Sequence, residues 1–285
     1  MPSTKKTTAK TGKVRSQTND LPGAQDIGDD EDDAFATVLY GRSGSGKTTL
    51  SSTWPGRKLL LDIRDRGTRS VRDVKNMQKR RIESIEDLDD AYWWLVDNPT
   101  AYDTVIVDTV SQLQTLAVKE HAAGKGKKSS RAAGDWGSMT KRDWGDVAAL
   151  MKEKLINYRD LIDLGIDVVF IAQDRAFNFD TDEDEEQNEM APEIGPQLSP
   201  SIAKSLNASV DFIGNTFIRS RWVKVGKAEK GKKQHEEEQI DFCLRIGPNS
   251  MYVTKSRKPK FQVPPAVIVD PSYDDLMAII EGDYK

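Results

Sequence analysis

Cysteine and histidine are scarce in this chain, and long apolar runs are missing. Among 285 residues there is one cysteine, Cys243, and there are two histidines, His121 and His235. A single thiol excludes an internal disulfide and suits a reducing compartment. Cys243 lies in an alternating, strand-like stretch, so a buried structural thiol is expected. Neither histidine has a cluster of ligand residues around it in the sequence, so no structural zinc site is expected. No apolar run approaches the roughly 20 residues of a membrane-spanning helix. The Lys- and Thr-rich start shows no apolar core of a secretory signal. The expectation is a soluble, cytoplasmic protein without a membrane partner. Lys and Arg number 42 against 46 Asp and Glu, for a net charge of −4. That balance gives no global attraction to nucleic acid, so any such binding must come from local basic patches.

What is present divides unevenly. Hydrophobic residues make up 37% and charged residues 31%, which suits a globular body with long solvated segments. Residues 1–33 read as a disordered tail, basic first (Lys5, Lys6, Lys10, Lys13, Arg15) and then acidic (Asp26, Asp29 to Asp33 with Glu31). One domain is expected over 34–285, with mobile loops at about 122–137 and 174–197.

The strongest signal is Gly41-Arg42-Ser43-Gly44-Ser45-Gly46-Lys47-Thr48. It matches the phosphate-loop pattern G-x-x-x-x-G-K-[ST] at every fixed position. The apolar run Phe35 to Tyr40 before it reads as a buried strand, and Thr49 onward opens a helix. Glycines let successive N–H groups turn toward phosphates, and a helix N-terminus adds partial positive charge. Lys47 is expected at the β- and γ-phosphates of a bound nucleotide, and the Thr48 hydroxyl on Mg²⁺. The cofactor-binding set is therefore Gly41 to Thr48 with Thr49.

Further strands are expected at Lys58 to Ile63, Tyr102 to Asp108 and Asp167 to Ala172, with helices between them. The unbroken apolar character of Val105-Ile106-Val107 predicts burial on both faces, as in a parallel sheet. Helices are predicted from Ser84 to Val96, with Ser84 and Asp87 as an approximate capping box, and from Lys141 to Leu164. The second half reads as antiparallel strands at 210–221, 239–246 and 251–254, closed by a short helix from Tyr273 to Ile280. The fold class is thus α/β, a mainly parallel sheet flanked by helices with antiparallel C-terminal strands. Asp108, ending an apolar strand downstream of a phosphate loop, is the second expected Mg²⁺ ligand.

The chain resembles the RecA-like ATPases of phages, the Sak-type single-strand annealing RecA paralogues, often labelled AAA-family proteins. The likeness is carried by Tyr40-Gly41 through Thr49, by Leu61-Asp62 with Gly67-Thr68-Arg69-Ser70, and by Tyr102 through Thr109. Asp143-Trp144-Gly145, Val168 to Gln173 and Lys255-Ser256-Arg257 extend it over about 34–280. The resemblance implies an ATPase using ATP and Mg²⁺. It implies a water-orienting carboxylate after the second strand, where the family has Glu before Gly and this chain has Ile63-Arg64-Asp65-Arg66-Gly67. Asp65 is the first candidate and Asp62 the second. It further implies that Gln173 senses the γ-phosphate, and that Lys255 and Arg257 reach a nucleotide bound by a neighbouring subunit in a ring or filament.

Partners implied by the resemblance are single-stranded DNA, a single-strand-binding protein and further copies of the chain, in a phage-infected bacterial cytoplasm. Lys125, Lys127, Lys128 and Arg131, with Trp136 and Trp144, offer a basic and aromatic DNA contact; a solvated loop and two packing indoles read equally well. The expected role is DNA recombination or strand annealing. Because the Asp65 region departs from the family pattern, a nucleotide-gated binding module with little or no turnover stays open. A helicase or packaging ATPase and a kinase rank below, for want of a helicase motif series, a nuclease carboxylate cluster or an acceptor lid. No guanine-reading N-K-x-D follows the fourth strand, and adenine preference rests on the resemblance alone.

Overall fold

The computed structural model describes residues 34–64, 67–124, 139–177, 193–225, 235–257 and 261–284. The expected tail at 1–33, Asp65, Lys125, Lys127, Lys128, Arg131 and Trp136 lie outside the described residues.

Five strands form the parallel heart of the sheet: β1 (Ala36–Tyr40), β2 (Lys58–Asp62), β3 (Met77–Arg81), β4 (Thr104–Asp108) and β5 (Asp167–Ala172). A long hairpin, β8 (Phe212–Val225) and β9 (His235–Arg245), continues it, with β10 (Lys255–Ser256) and β11 (Val267–Val269). The order is β11-β9-β8-β1-β5-β4-β2-β3, with β10 pairing β8. β8 runs parallel to β1, while β9, β10 and β11 pair antiparallel. This is the mainly parallel α/β sheet with antiparallel additions that the sequence pattern predicts. Among the described residues, no helix is long and apolar enough to cross a membrane.

Alternation along the strands feeds two cores. Val38, Val105, Val107, Val168 and Phe170 face one layer, with α2 (Ile85–Asp97), α3 (Val110–Gly124), α4 (Lys141–Arg159) and α5 (Pro200–Ser209). Leu39, Leu60, Ile106, Val169 and Ile171 face the other, with α1 (Lys47–Ser51) and α6 (Tyr273–Glu281). Apolar residues at both parities are therefore all buried, as a sheet covered on both sides requires. Phe35 stacks on Tyr273 at 5.7 Å between centroids and meets Phe212 edge-on at 5.5 Å, which pins α6 beneath β1.

Several expected boundaries move. α2 begins with a full capping box at Ser84 and Asp87, and a second one, Thr140 with Asp143, starts α4. α4 ends at Arg159 and passes into a 3-10 turn over Asp160–Leu164. Residues 122–124, expected in a loop, belong to α3, which runs to Gly124, and the rest of that expected loop, 125–137, lies outside the described residues. Of the stretch expected as a loop at 174–197, the two ends pair antiparallel as β6 (Asp174–Phe177) and β7 (Glu193–Pro196), and 178–192 lies outside the described residues. Residues 251–254 form no strand of their own; Tyr252 makes an isolated bridge to Ile194, and the pairing falls on Lys255–Ser256. β3, Met-Gln-Lys-Arg-Arg, is an additional edge strand whose polar sequence hides its extended backbone.

The layer under α2 depends on Leu88, which is fully buried, and on Tyr158, whose hydroxyl donates to the Leu88 carbonyl at 2.8 Å. Leu88→Ala should destabilise the protein by about 2–5 kcal/mol, measured by urea unfolding, while nucleotide binding by the folded fraction persists.

Candidate nucleotide-binding site

β1 runs into the phosphate loop at Gly41. A Cβ there would collide with the backbone carbonyl oxygen of Thr216 on the neighbouring β8, so only glycine permits the approach. Gly44 and Gly46 have φ of 81° and 89°, the left-handed region that glycine enters without strain. Ser45 Oγ lies 2.6 Å from Thr216 Oγ1, which fastens the loop to β8 from inside. The loop's shape is thus set by strand neighbours as well as by its own glycines.

Lys47 is buried, and its ammonium donates to the carbonyls of Gly41 and Arg42 at 2.8 Å each. The Thr48 hydroxyl donates to Asp108 Oδ2 at 2.9 Å. α1 has five residues, so its dipole is small. The attraction for phosphate rests on the loop N–H groups and on Lys47 more than on the helix.

Asp108 ends β4, and Asp62 ends β2 directly beside it in register. Alternation puts both on the side of Leu60 and Ile106, the layer that contains α1. Both are buried. β5 lies between β1 and β4, so Gln173, the residue after β5, sits between the phosphate loop and the Asp108 strand. Its N–H donates to Ser111 Oγ at 3.1 Å, and its carbonyl accepts from Gln197 at 2.7 Å. The structure thus gathers Lys47, Thr48, Asp62, Asp108 and Gln173 at one end of the parallel strands. The Asp108–Thr109 peptide is cis.

The residues fit a triphosphate with Mg²⁺. A hydroxyl and a carboxylate already within 2.9 Å of each other are the hard oxygen donors that Mg²⁺ takes. Beside Gly46 lies a cavity of about 260 Å³, walled by Thr49, Leu50, Thr53, Phe242 and Asp270. Its apolar walls next to a phosphate cradle suit a nucleobase and ribose. Burial pushes the Cys243 thiol on its rim above the usual range, consistent with an unreactive structural thiol.

The chain matches the AAA domain family over residues 34–258. It belongs to that family. The AAA domain here carries the nucleotide-binding phosphate loop just described. Similar solved structures include a KaiC-like protein of the hyperthermophilic archaeon Pyrococcus horikoshii OT3, 10% identical, covering 83% of this chain and 89% of that one, TM-score 0.39. Another is the flagellar accessory protein FlaH of Methanocaldococcus jannaschii, 10% identical, covering 84% and 90%, TM-score 0.34. Likeness at that level says nothing of this AAA domain's activity. No curated protein matches the chain.

Lys255 and Arg257 lie elsewhere. β10 pairs with the first residues of β8, whereas the phosphate loop follows the opposite end of β1. Lys255 Nζ donates to the Asn207 and Ala208 carbonyls at 3.0 and 2.9 Å, a favourable place for a cation at the end of α5. Burial lowers its pKa first, Arg257 lowers it further, and Asp211 opposes both. Arg257 pairs with Asp211 at 2.8 Å, and Asp211 also accepts from Ala36 N–H at 2.9 Å. Within one chain this pair does not reach the phosphate loop. Trp144 is half-buried against the core, which is its packing role.

One grouping around a histidine is formed only by the fold. His121, at the end of α3, places Nε2 3.2 Å from Asp143 Oδ1 and 3.9 Å from Asp146 Oδ2 on α4. The sequence hides this because the residues are 22 and 25 positions apart and meet only when the helices pack. Asp143 Oδ2 already accepts from Thr140 N–H and hydroxyl at 2.8 Å each, so the group joins two helix ends.

Gly41→Ala should abolish nucleotide binding while the far-UV circular dichroism stays near wild type. Fluorescent nucleotide titration checks it, and binding within twofold of wild type would contradict the packing of Gly41 on Thr216.

Proposed function

We propose that the protein binds ATP with Mg²⁺, hydrolyses it, and acts on single-stranded DNA in phage recombination or strand annealing. The observation that carries the nucleotide part is the convergence of Lys47 and Thr48, which open α1, with Asp108 at the end of β4. Lys47 would neutralise phosphate oxygens, and Thr48 and Asp108 would hold Mg²⁺. The metal, when bound, offsets the charge that develops on the phosphates. A carboxylate near the γ-phosphate would orient the attacking water and accept its proton. Asp62 gains weight for that role from its place beside Asp108, and Asp65 stays a candidate two residues beyond β2. Gln173 is proposed as the γ-phosphate sensor because it lies between the two halves of the site.

The DNA part rests on the resemblance in sequence, and so does a single-strand-binding protein as partner. Assembly with further copies has a structural support of its own. Ile218, Trp222, Ile240 and Phe242 form an exposed apolar stripe along one face of the β8–β9 hairpin, starting at the phosphate loop. A neighbour covering that stripe would bring its own surface cations toward the nucleotide. Lys255 and Arg257 are proposed for that contact, which would require leaving their present partners.

A second reading is favoured by the departure at Asp65 and by the shorter reach of Asp62 relative to Glu. In it the protein is a nucleotide-gated assembly module with little turnover.

Phosphate release by the purified chain, with and without oligo-dT, separates the two. The ATPase reading expects DNA-stimulated turnover that falls about 10²–10³-fold in Lys47→Ala, with Asp62→Asn and Asp65→Asn showing which carboxylate is needed. ATP binding without phosphate release would select the gated module. No DNA binding at low salt, with or without nucleotide, would remove the DNA reading.

A further inference from the structure

The most cationic stretch of the described chain lies outside the nucleotide site. From Gly67 to Arg81 there are six cations, Arg69, Arg72, Lys75, Lys79, Arg80 and Arg81, against one anion, Asp73. The stretch is therefore +5, within a protein whose net charge is −4. It folds as a 3-10 turn over Gly67–Val71, packed against α1, followed by the edge strand β3. Between turn and strand is a cavity of about 340 Å³ whose polar walls are Thr68, Arg69, Arg72, Gln78 and Lys79, with no carboxylate among its lining residues. Lys79 Nζ reaches Thr68 Oγ1 at 3.3 Å, so turn and strand share one basic wall. Arg81 is taken up by Glu83 at 2.9 Å and adds little to that wall.

Aromatic rings lie across the edge strand, on the α2 side, because Gln78 alternates with Lys79 along β3. The Tyr102 hydroxyl donates to Gln78 Oε1 at 2.5 Å. Trp94 lies 6.1 Å from Tyr102, ring to ring, and the Arg57 guanidinium lies 5.2 Å above Tyr102. Trp93, the residue before Trp94 on α2, packs on Tyr92 at 5.1 Å. The two indoles, Trp93 and Trp94, are nonetheless 61% and 47% exposed. Cations on an edge strand often serve to block strand addition. That purpose accounts for β3 itself. It does not account for Arg69 and Arg72, which lie off the strand, or for two indoles left in water on a neighbouring helix.

We infer that this edge, from Arg69, Arg72 and Lys79 across Gln78 and Tyr102 to Trp93 and Trp94, is a binding path for single-stranded nucleic acid. The cations take the phosphodiester backbone and the indoles stack on unpaired bases, the two contacts by which proteins hold single strands without reading sequence. A duplex keeps its bases stacked inside and would leave the indoles without a partner. The inference rests on the reading that the protein acts on single-stranded DNA, and it places that contact on the β3 edge instead of on the 125–131 segment. Because the 3-10 turn packs on α1, the path adjoins the phosphate loop's own helix.

The test is fluorescence anisotropy of labelled oligo-dT with the full-length chain and ATP, across a salt series. Three variants are compared: Arg69→Ala/Arg72→Ala/Lys79→Ala, Trp93→Ala/Trp94→Ala, and Lys125→Ala/Lys127→Ala/Lys128→Ala/Arg131→Ala. Removing the three edge cations should reduce the slope of log K against log salt by about 2, at ~0.7 per phosphate contact. Removing the indoles should weaken binding at least about fivefold with the slope unchanged. Fluorescent ATP titration should stay at wild type in both, showing that each is folded. Wild-type affinity and slope in both edge variants, with loss in the 125–131 variant, would overturn the inference and leave the DNA reading standing. No oligo-dT binding by the wild type would overturn both. Capture of an acidic peptide without affinity for oligo-dT would overturn it in favour of a protein partner.

Discussion

The hydrogen bond from Thr48 to Asp108 joins residues 60 positions apart, and much of the architecture exists to make it possible. Thr48 is held by a loop that leaves β1, and Asp108 ends β4. β5 separates those two strands, so the bond has to span a strand position. It does so because α1 lies over the same face toward which Asp108 points. That face is set by parity: Ile106 enters the layer under α1, and two residues later Asp108 follows it. A register slip of one residue in β4 would turn Asp108 into the opposite layer and dismantle the site.

Parity also ranks the acidic candidates. Asp62 is in register with Asp108 and follows Leu60 into the same layer, so the two carboxylates stand side by side beneath α1. Such proximity is what the proposed Mg²⁺ site with a neighbouring base would need, and it belongs to the residue that the resemblance places second. Lys255 and Arg257 are placed by strand pairing as well. β10 pairs with the first residues of β8, beside the start of β1, and both cations have structural partners in the same chain.

Charge is distributed with a similar economy. A net charge of −4 conceals a basic edge at 67–81. That edge is formed by a strand whose polar side chains defeat the usual apolar signature. β3 pairs in parallel with β2, and its one apolar side chain, Met77, packs against the core, so the sequence shows no apolar alternation that would mark it.

The phosphate loop, the buried strands around it and the two-sided sheet are legible from residue order, because each depends on local chemistry. Glycine is demanded where the backbone turns left-handed, and apolar residues at both parities are demanded where helices cover both faces. The two-helix junction of His121 with Asp143 and Asp146, the clamp of Thr216 on Gly41 and Ser45, the nearness of Asp62 to Asp108 and the partners that Lys255 and Arg257 find within the chain are not legible there. Each is a contact between residues far apart in the chain, and strand order and helix packing alone decide which distant residues meet. Periodicity tells a side chain which face to take; it does not tell it which neighbour will be there.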